Sequence, residues 1–315
     1  MSEQVEALII RPRLVALGDS FSCGVGVGVV VAPERTWVGL LGAALGMHVD
    51  LLASPGLASA EVAHVQLPRA LDRPGTLATV FVGLNDVVRS AFDPDATHAH
   101  IAMIVGELGA CHDVVLVVLL HDAMARLPLP RAVRRRYGAR IDAVNAALAA
   151  ASDACTNPVP LDLAAVPALR ARCAWAVDRI HLSEYGHHAV ARAGLRALRM
   201  HEAAVSTVST VSTVSTVPTV LLVPTAVIAP MPIPDAAAGK LAELRWFVTH
   251  GAPWLASRLP KVVLGRVDDG TGVDQLRRVG EGAGTSAVEV RAVEVRAVEP
   301  GRGSATAGRE QLVHR

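Results

Sequence analysis

The stretch LVALGDSFS, residues 14–22, decides how this chain is read. Its first half, Leu14-Val15-Ala16-Leu17, is apolar without alternation. A strand buried on both faces of a parallel sheet reads this way. Gly18-Asp19-Ser20 then breaks the run and leads into a helical segment. A serine at the C-terminal end of such a strand, on a tight turn into a helix, lies at the rim of the sheet. Open α/β sheets hold their ligands at that rim. On its own, GDS also reads as an ordinary Ser/Asp turn that caps a helix. It is not the GxSxG elbow, because position 22 is Ser rather than Gly.

Working outward, four further strand candidates follow: HVDLLA (48–53), ATVFVG (78–83), DVVLVVLL (113–120) and PVPLDL (158–163). Helical patterns lie between and after them, at 35–46, 58–67, 96–110, 131–153 and 184–199. Strands alternating with helices argue for a parallel sheet covered by helices. Five such βα units in residues 12–200 predict one α/β domain, a three-layer α/β/α sandwich on a five-stranded parallel sheet.

Composition narrows the function. The chain has 315 residues, of which 51% are hydrophobic but only 3% aromatic, so its core is built from Ala, Val and Leu. Thirty basic residues face 29 acidic ones. A nucleic-acid binder carries a strong basic excess, so no nucleic-acid partner is expected. The two lysines, Lys240 and Lys261, leave the first 239 residues without a Walker A or Schiff-base lysine. Cys23, Cys111, Cys155 and Cys173 form no CxxC pair and read as free thiols of a reducing compartment. The N-terminal MSEQVEALIIRPR lacks the apolar run of a signal peptide. The most apolar later stretch, 217–234, is broken by five prolines and is no membrane span. A cytoplasmic protein is the expectation.

Beyond residue 200 the composition changes. Residues 206–217 read Ser-Thr-Val four times, and a proline-rich stretch follows, so 201–234 is expected to be a low-complexity linker. Asp235 as a cap and Gly251 with Pro253 as a stop frame a short helix within 235–262. A lone helix of this length is marginal in water. Segment 235–259, with Trp246, Phe247 and Trp254, is therefore expected to dock on the α/β domain or on a protein partner. Residues 263–315 are rich in Gly, Arg, Glu and Val, repeat EVRAV, and are expected to be disordered.

Two more constellations carry chemistry. Gly83-Leu84-Asn85-Asp86 follows the third strand. An Asn there can aim its amide N–H at a developing oxyanion, or the pair can simply be an Asn-Asp turn. Asp178-Arg179-Ile180-His181 precedes the last helix. A carboxylate three residues before a histidine can fold back to fix its tautomer and stabilise the imidazolium. In isolation, DxxH is equally a capping Asp beside a surface His.

The three together, in order and in these slots, resemble the SGNH (GDSL-type) hydrolase superfamily over residues 12–200. The resemblance implies a flavodoxin-like fold with strand order 2-1-3-4-5. It implies Ser20 as nucleophile, His181 as general base and then acid, and Asp178 as the group orienting His181. It also implies an oxyanion hole made of the Asn85 amide and the backbone N–H groups of Ser20 and Gly56. Gly56 comes from LLASPGLAS, where the family has an Asn a few residues before the Gly and this chain has Leu51 or Leu52. Strand order 2-1-3 opens a crevice between the ends of strands one and three. Ser20 and Asn85 both fall there.

The expected activity is hydrolysis of a small carboxylic ester through an acyl-enzyme, without metal or organic cofactor. An acyltransferase using the same site with a sugar or alcohol acceptor is the alternative. A non-catalytic protein acting through its C-terminal segment is the rival from another class. Lesser candidates read as structure. Gly24-Val25-Gly26-Val27-Gly28 misses GxGxxG, because position 29 is Val, and reads as flexibility beside the nucleophile. His187-His188 are adjacent on a helix and face apart, so they make no metal pair. His121-Asp122 follows strand four and is either a pocket wall or a loop hydrogen-bond pair. Arg131 and Arg134 to Arg136 read as a solvated helix face.

Overall fold

The Val/Leu runs become strands wherever both faces can be covered. In the computed structural model, residues 12–26, 29–127, 129–209, 227–233 and 248–249 are described. The strands are β1 (Arg13–Gly18), β2 (His48–Leu51), β3 (Gly75–Phe81), β4 (His112–Leu119) and β5 (Pro158–Asp162). All pair in parallel in the order β2-β1-β3-β4-β5, with Leu14 opposite Leu77 and Gly18 opposite Phe81. Leu14 to Leu17 of β1 and Val115 to Val118 of β4 are fully buried, as double-sided cover requires.

The helices are α1 (Ser20–Cys23), α2 (Trp37–Leu45), a helical run at 59–71 with a π turn at Val62–Gln66, α4 (Leu84–Val88), α5 (Pro94–Cys111), α6 (Arg131–Ala154) and α7 (Glu184–Ser209). The run at 59–71 is α3. Helices α2 and α7 pack together, and α3, α5 and α6 form the other layer. Side-chain caps set the starts: Thr36 Oγ1 accepts the Gly39 N–H at 3.1 Å, and Asp93 accepts from Asp95 and Ala96 at 3.0 Å. The glycine-rich segment after α1 is not a plain loop. Val25–Gly26 pairs antiparallel with Val29–Val30.

Two expectations about the C-terminal side change. Helix α7 does not end near residue 200 but runs nine residues further, to Ser209 and into the Ser-Thr-Val repeat. His201-Glu202-Ala203-Ala204 are acceptable helix residues, and no Gly or Pro stops the helix before Pro218. The linker expected at 201–234 is also not free of the domain over its whole length. Ile228 packs on the core, and Met231 lines a groove with Tyr185 and Ala189 of α7. Apolar side chains between prolines bury themselves on the nearest apolar helix face. The helix expected within 235–262 lies outside the described residues apart from 248–249, and the tail at 263–315 lies wholly outside them. Among the described residues, no helix is long and apolar enough to cross a membrane.

Candidate active site

The turn after β1 fixes the serine. Asp19 caps α1, its Oδ1 accepting the Phe21 N–H at 2.9 Å, and Ser20 is the first helical residue. Gly18 before it has φ +143°, and a Cβ there would stand 2.3 Å from the Phe81 carbonyl oxygen. Only glycine allows β1 and β3 to approach this closely at that φ. Gln66 of α3 grips the same residue from the side. Its Nε2 donates to the Gly18 carbonyl and its Oε1 accepts the Gly18 N–H, both at 2.8 Å.

His181 arrives from the loop before α7. Its Nε2 is 2.9 Å from Ser20 Oγ, and its Nδ1 is 2.5 Å from Asp178 Oδ2. The other oxygen of Asp178 accepts the backbone N–H groups of Ile180 and His181 at 3.0 and 2.9 Å. The DxxH loop thus folds back on its own carboxylate, with Arg179 taking a left-handed φ of 64° to allow it. Burial opposes charge on the imidazole, but the bond and charge of Asp178, helped by Asp19, outweigh it and hold the pKa above the ordinary histidine value. Burial likewise opposes charge on Asp178, and the His181 hydrogen bond overrides it to hold the carboxyl below the usual range. Both groups therefore favour their charged forms in each other's presence.

Asn85 sits at the start of α4, as the sequence places it. Its Nδ2 donates to Asp19 Oδ2 at 2.7 Å and to the Leu57 carbonyl at 3.0 Å, so both amide hydrogens are engaged. Gly56 occupies a turn at φ +77° in the loop that Asn85 reaches. That loop and the start of α3 are tied to α4 and the residue after it. Asp86 accepts from Ser59 Oγ at 2.6 Å and from Ser59 N–H at 2.9 Å. Arg89 donates to Glu61 at 2.9 Å and to the Gly56 carbonyl at 3.2 Å. The structure thus joins Ser20, His181 and Asp178 in one hydrogen-bonded file, and brings Asn85 to the turn through Asp19 and to the Gly56 loop through Leu57.

Several neighbours were not legible in advance. A Cβ on Gly26 would lie 2.6 Å from His181 Cγ, so this glycine gives the imidazole its room rather than lending flexibility. Phe21 stacks on Phe81 at 4.0 Å, and Trp175 lies 4.2 Å from the His121 ring, so aromatic side chains gather behind the turn in a chain that has few. His121 is buried, makes no pair with Asp122, and burial pushes it down to about 3. His187 is buried and accepts the Trp37 N–H through Nδ1 at 3.1 Å. Among the described residues, no cluster of three or more His, Cys, Asp or Glu is placed to hold a metal.

A serine–histidine–aspartate file at the C-terminal edge of a doubly wound sheet defines a class of α/β hydrolytic proteins. This chain belongs to the GDSL-like lipase/acylhydrolase family, a family of ester hydrolases, whose model matches residues 16–189. No curated protein matches the chain. Among solved structures it is similar to a lipolytic protein of the G-D-S-L family from Desulfitobacterium hafniense DCB-2, at 17% identity and TM-score 0.48. That alignment covers 59% of this chain and 99% of the other. It is also similar to TesA, at 19% identity and TM-score 0.48 over 60% of this chain and 99% of that one. Axe2, an acetylxylan esterase from Geobacillus stearothermophilus, aligns at 18% identity and TM-score 0.44, covering 59% and 93% of the two chains.

Proposed function

We propose that the protein is a serine hydrolase that cleaves carboxylic esters through an acyl-enzyme. The observation that carries this reading is the file from Ser20 Oγ through His181 to Asp178, at 2.9 and 2.5 Å. His181 Nε2 takes the Ser20 proton as Oγ attacks the ester carbonyl. Asp178 holds the imidazole in the required tautomer and stabilises the imidazolium without itself taking the proton. The tetrahedral oxyanion is received by the Asn85 amide with the Ser20 and Gly56 N–H groups. Asn85 exchanges one of its resting acceptors for that oxygen. The imidazolium then gives its proton to the leaving alcohol, and water, activated by the same histidine, releases the acid.

The test is a panel of nitrophenyl esters of increasing acyl length on purified protein, with Ser20→Ala beside it. A length-dependent turnover that Ser20→Ala abolishes supports the reading. Equal turnover in Ser20→Ala rules it out. We also propose a cytoplasmic location, supported by four free thiols, of which Cys23 is buried and pushed up to about 11. Fractionation of cells against compartment markers tests it.

A further inference from the structure

The residue before the nucleophile does more than cap a helix of four residues. Asp19 is 1% exposed, and its carboxylate is divided between two donors. One oxygen takes the Phe21 N–H at 2.9 Å and the other takes the Asn85 amide at 2.7 Å. An Asn amide turns freely about its last torsion unless its neighbours fix it. Here Asp19 and the Leu57 carbonyl fix it from two sides, so the amine end faces the turn that carries Ser20.

We propose that Asp19 is a positioning residue, whose carboxylate aims the Asn85 amide at the oxyanion site and whose negative charge supports the imidazolium of His181. The inference rests on the reading of Asn85 as an oxyanion donor and of His181 as the base. The groups that face Asp19 are the Phe21 N–H and Cys23 of α1, Asn85 and Asp86 of α4, and His181 from the loop before α7. Burial pushes its carboxyl up to about 7, against the pull of the Phe21 N–H and of His181. At mildly alkaline pH it is therefore an anion beside the imidazole. Near neutrality it gains a proton, and the Asn85 amide then meets a weaker acceptor.

Two variants remove both duties while keeping a side chain at the cap. Asp19→Asn keeps the volume but removes the charge and turns an amide toward the Asn85 amide. Asp19→Ser keeps an oxygen able to cap the Phe21 N–H, which preserves α1, but is too short to hold Asn85. Misplacing a catalytic group by about 1 Å costs up to ~10²-fold. Both variants are therefore expected to lose roughly that much kcat at unchanged KM. The acid limb of kcat/KM moves to lower pH in both, because the charge that raises His181 is gone. In an Asn85→Ala background, Asp19→Ser adds little further loss, because groups acting as a unit are not additive.

Thermal melting reports whether each variant is folded. Folded Asp19→Ser or Asp19→Asn with parental kcat and an unmoved acid limb overturns the inference, provided Ser20→Ala and Asn85→Ala are impaired. So does a loss that multiplies with that of Asn85→Ala. Activity surviving in Ser20→Ala instead overturns the underlying mechanism.

Discussion

At the scale of the residue, the site depends on clearances as much as on reactive groups. Gly26 contributes no functional atom, yet any Cβ there enters the space of the His181 ring. Gly26→Ala is expected to displace the imidazole by a few tenths of an ångström or more and lower kcat about 10–100-fold, with melting temperature little changed. Steady-state kinetics beside a melting curve checks it. In the proposed mechanism His181 sets the pH response. Only the neutral ring can accept the Ser20 proton, and its pKa is held above the ordinary ~6.5. Activity should therefore fall as pH drops through a midpoint above that value. Asp178→Asn removes the partner that outweighs burial, so the midpoint moves down, and kcat falls by roughly 10⁴-fold as the tautomer is lost. A kcat/KM profile of both proteins decides it.

At the scale of the element, Gln66 shows how a helix locks a strand end. Its side-chain amide pairs with both backbone groups of Gly18, which lie where the β1–β3 ladder gives way to the turn. Gln66→Leu leaves the buried Gly18 N–H unpaired, at about 1–3 kcal/mol, while the Gly18 carbonyl keeps the Ser54 N–H at 3.2 Å. The expected outcome is a lower urea midpoint with kcat reduced only in proportion to misplacement of the turn. Little of this clasp is legible in the sequence. The inner strands β1, β3 and β4 are legible because two-sided burial leaves near-continuous apolar runs. The edge strands β2 and β5 are legible as short runs in which polar or proline residues alternate with Val and Leu. The GDS, GLND and DxxH segments are legible because each sits at a strand or helix end. Gln66 lies 48 positions from Gly18, inside a helical run whose periodicity accounts for it as an ordinary polar residue. The pairing of Asp19 with Asn85 is hidden for the same reason, and a helix-capping role for Asp19 already satisfied local logic. The end of α7 is not legible because the Ser-Thr-Val repeat reads as low complexity, whereas its first residues continue an established helix.

At the scale of the whole molecule, buried ionisable groups give stability a definite pH dependence. Burial pushes His121 and His187 down to about 3, so the folded chain leaves them neutral where the unfolded chain protonates them below ~6.5. Each removes stability as pH falls through that interval. Asp19 works the other way: folded it keeps its proton up to about 7, so its contribution is lost as pH rises from ~4 toward 7. Burial also holds His112 and His188 down and Asp113 up, so between roughly pH 4.5 and 6 the depressed histidines outnumber the raised aspartates. Stability should then fall as pH drops through that range, read from urea midpoints. A midpoint independent of pH would contradict the buried, neutral state of both histidines. The contact between Ser20 and His181 closes a span of 161 residues, from the first strand to the loop before the last helix. On the proposed mechanism, a ribosome-bound chain holding the first four strands already carries its nucleophile but has no base to activate it. Turnover therefore begins only after the last helix has emerged and docked, and the onset of ester cleavage during synthesis is a clock for completion of the fold.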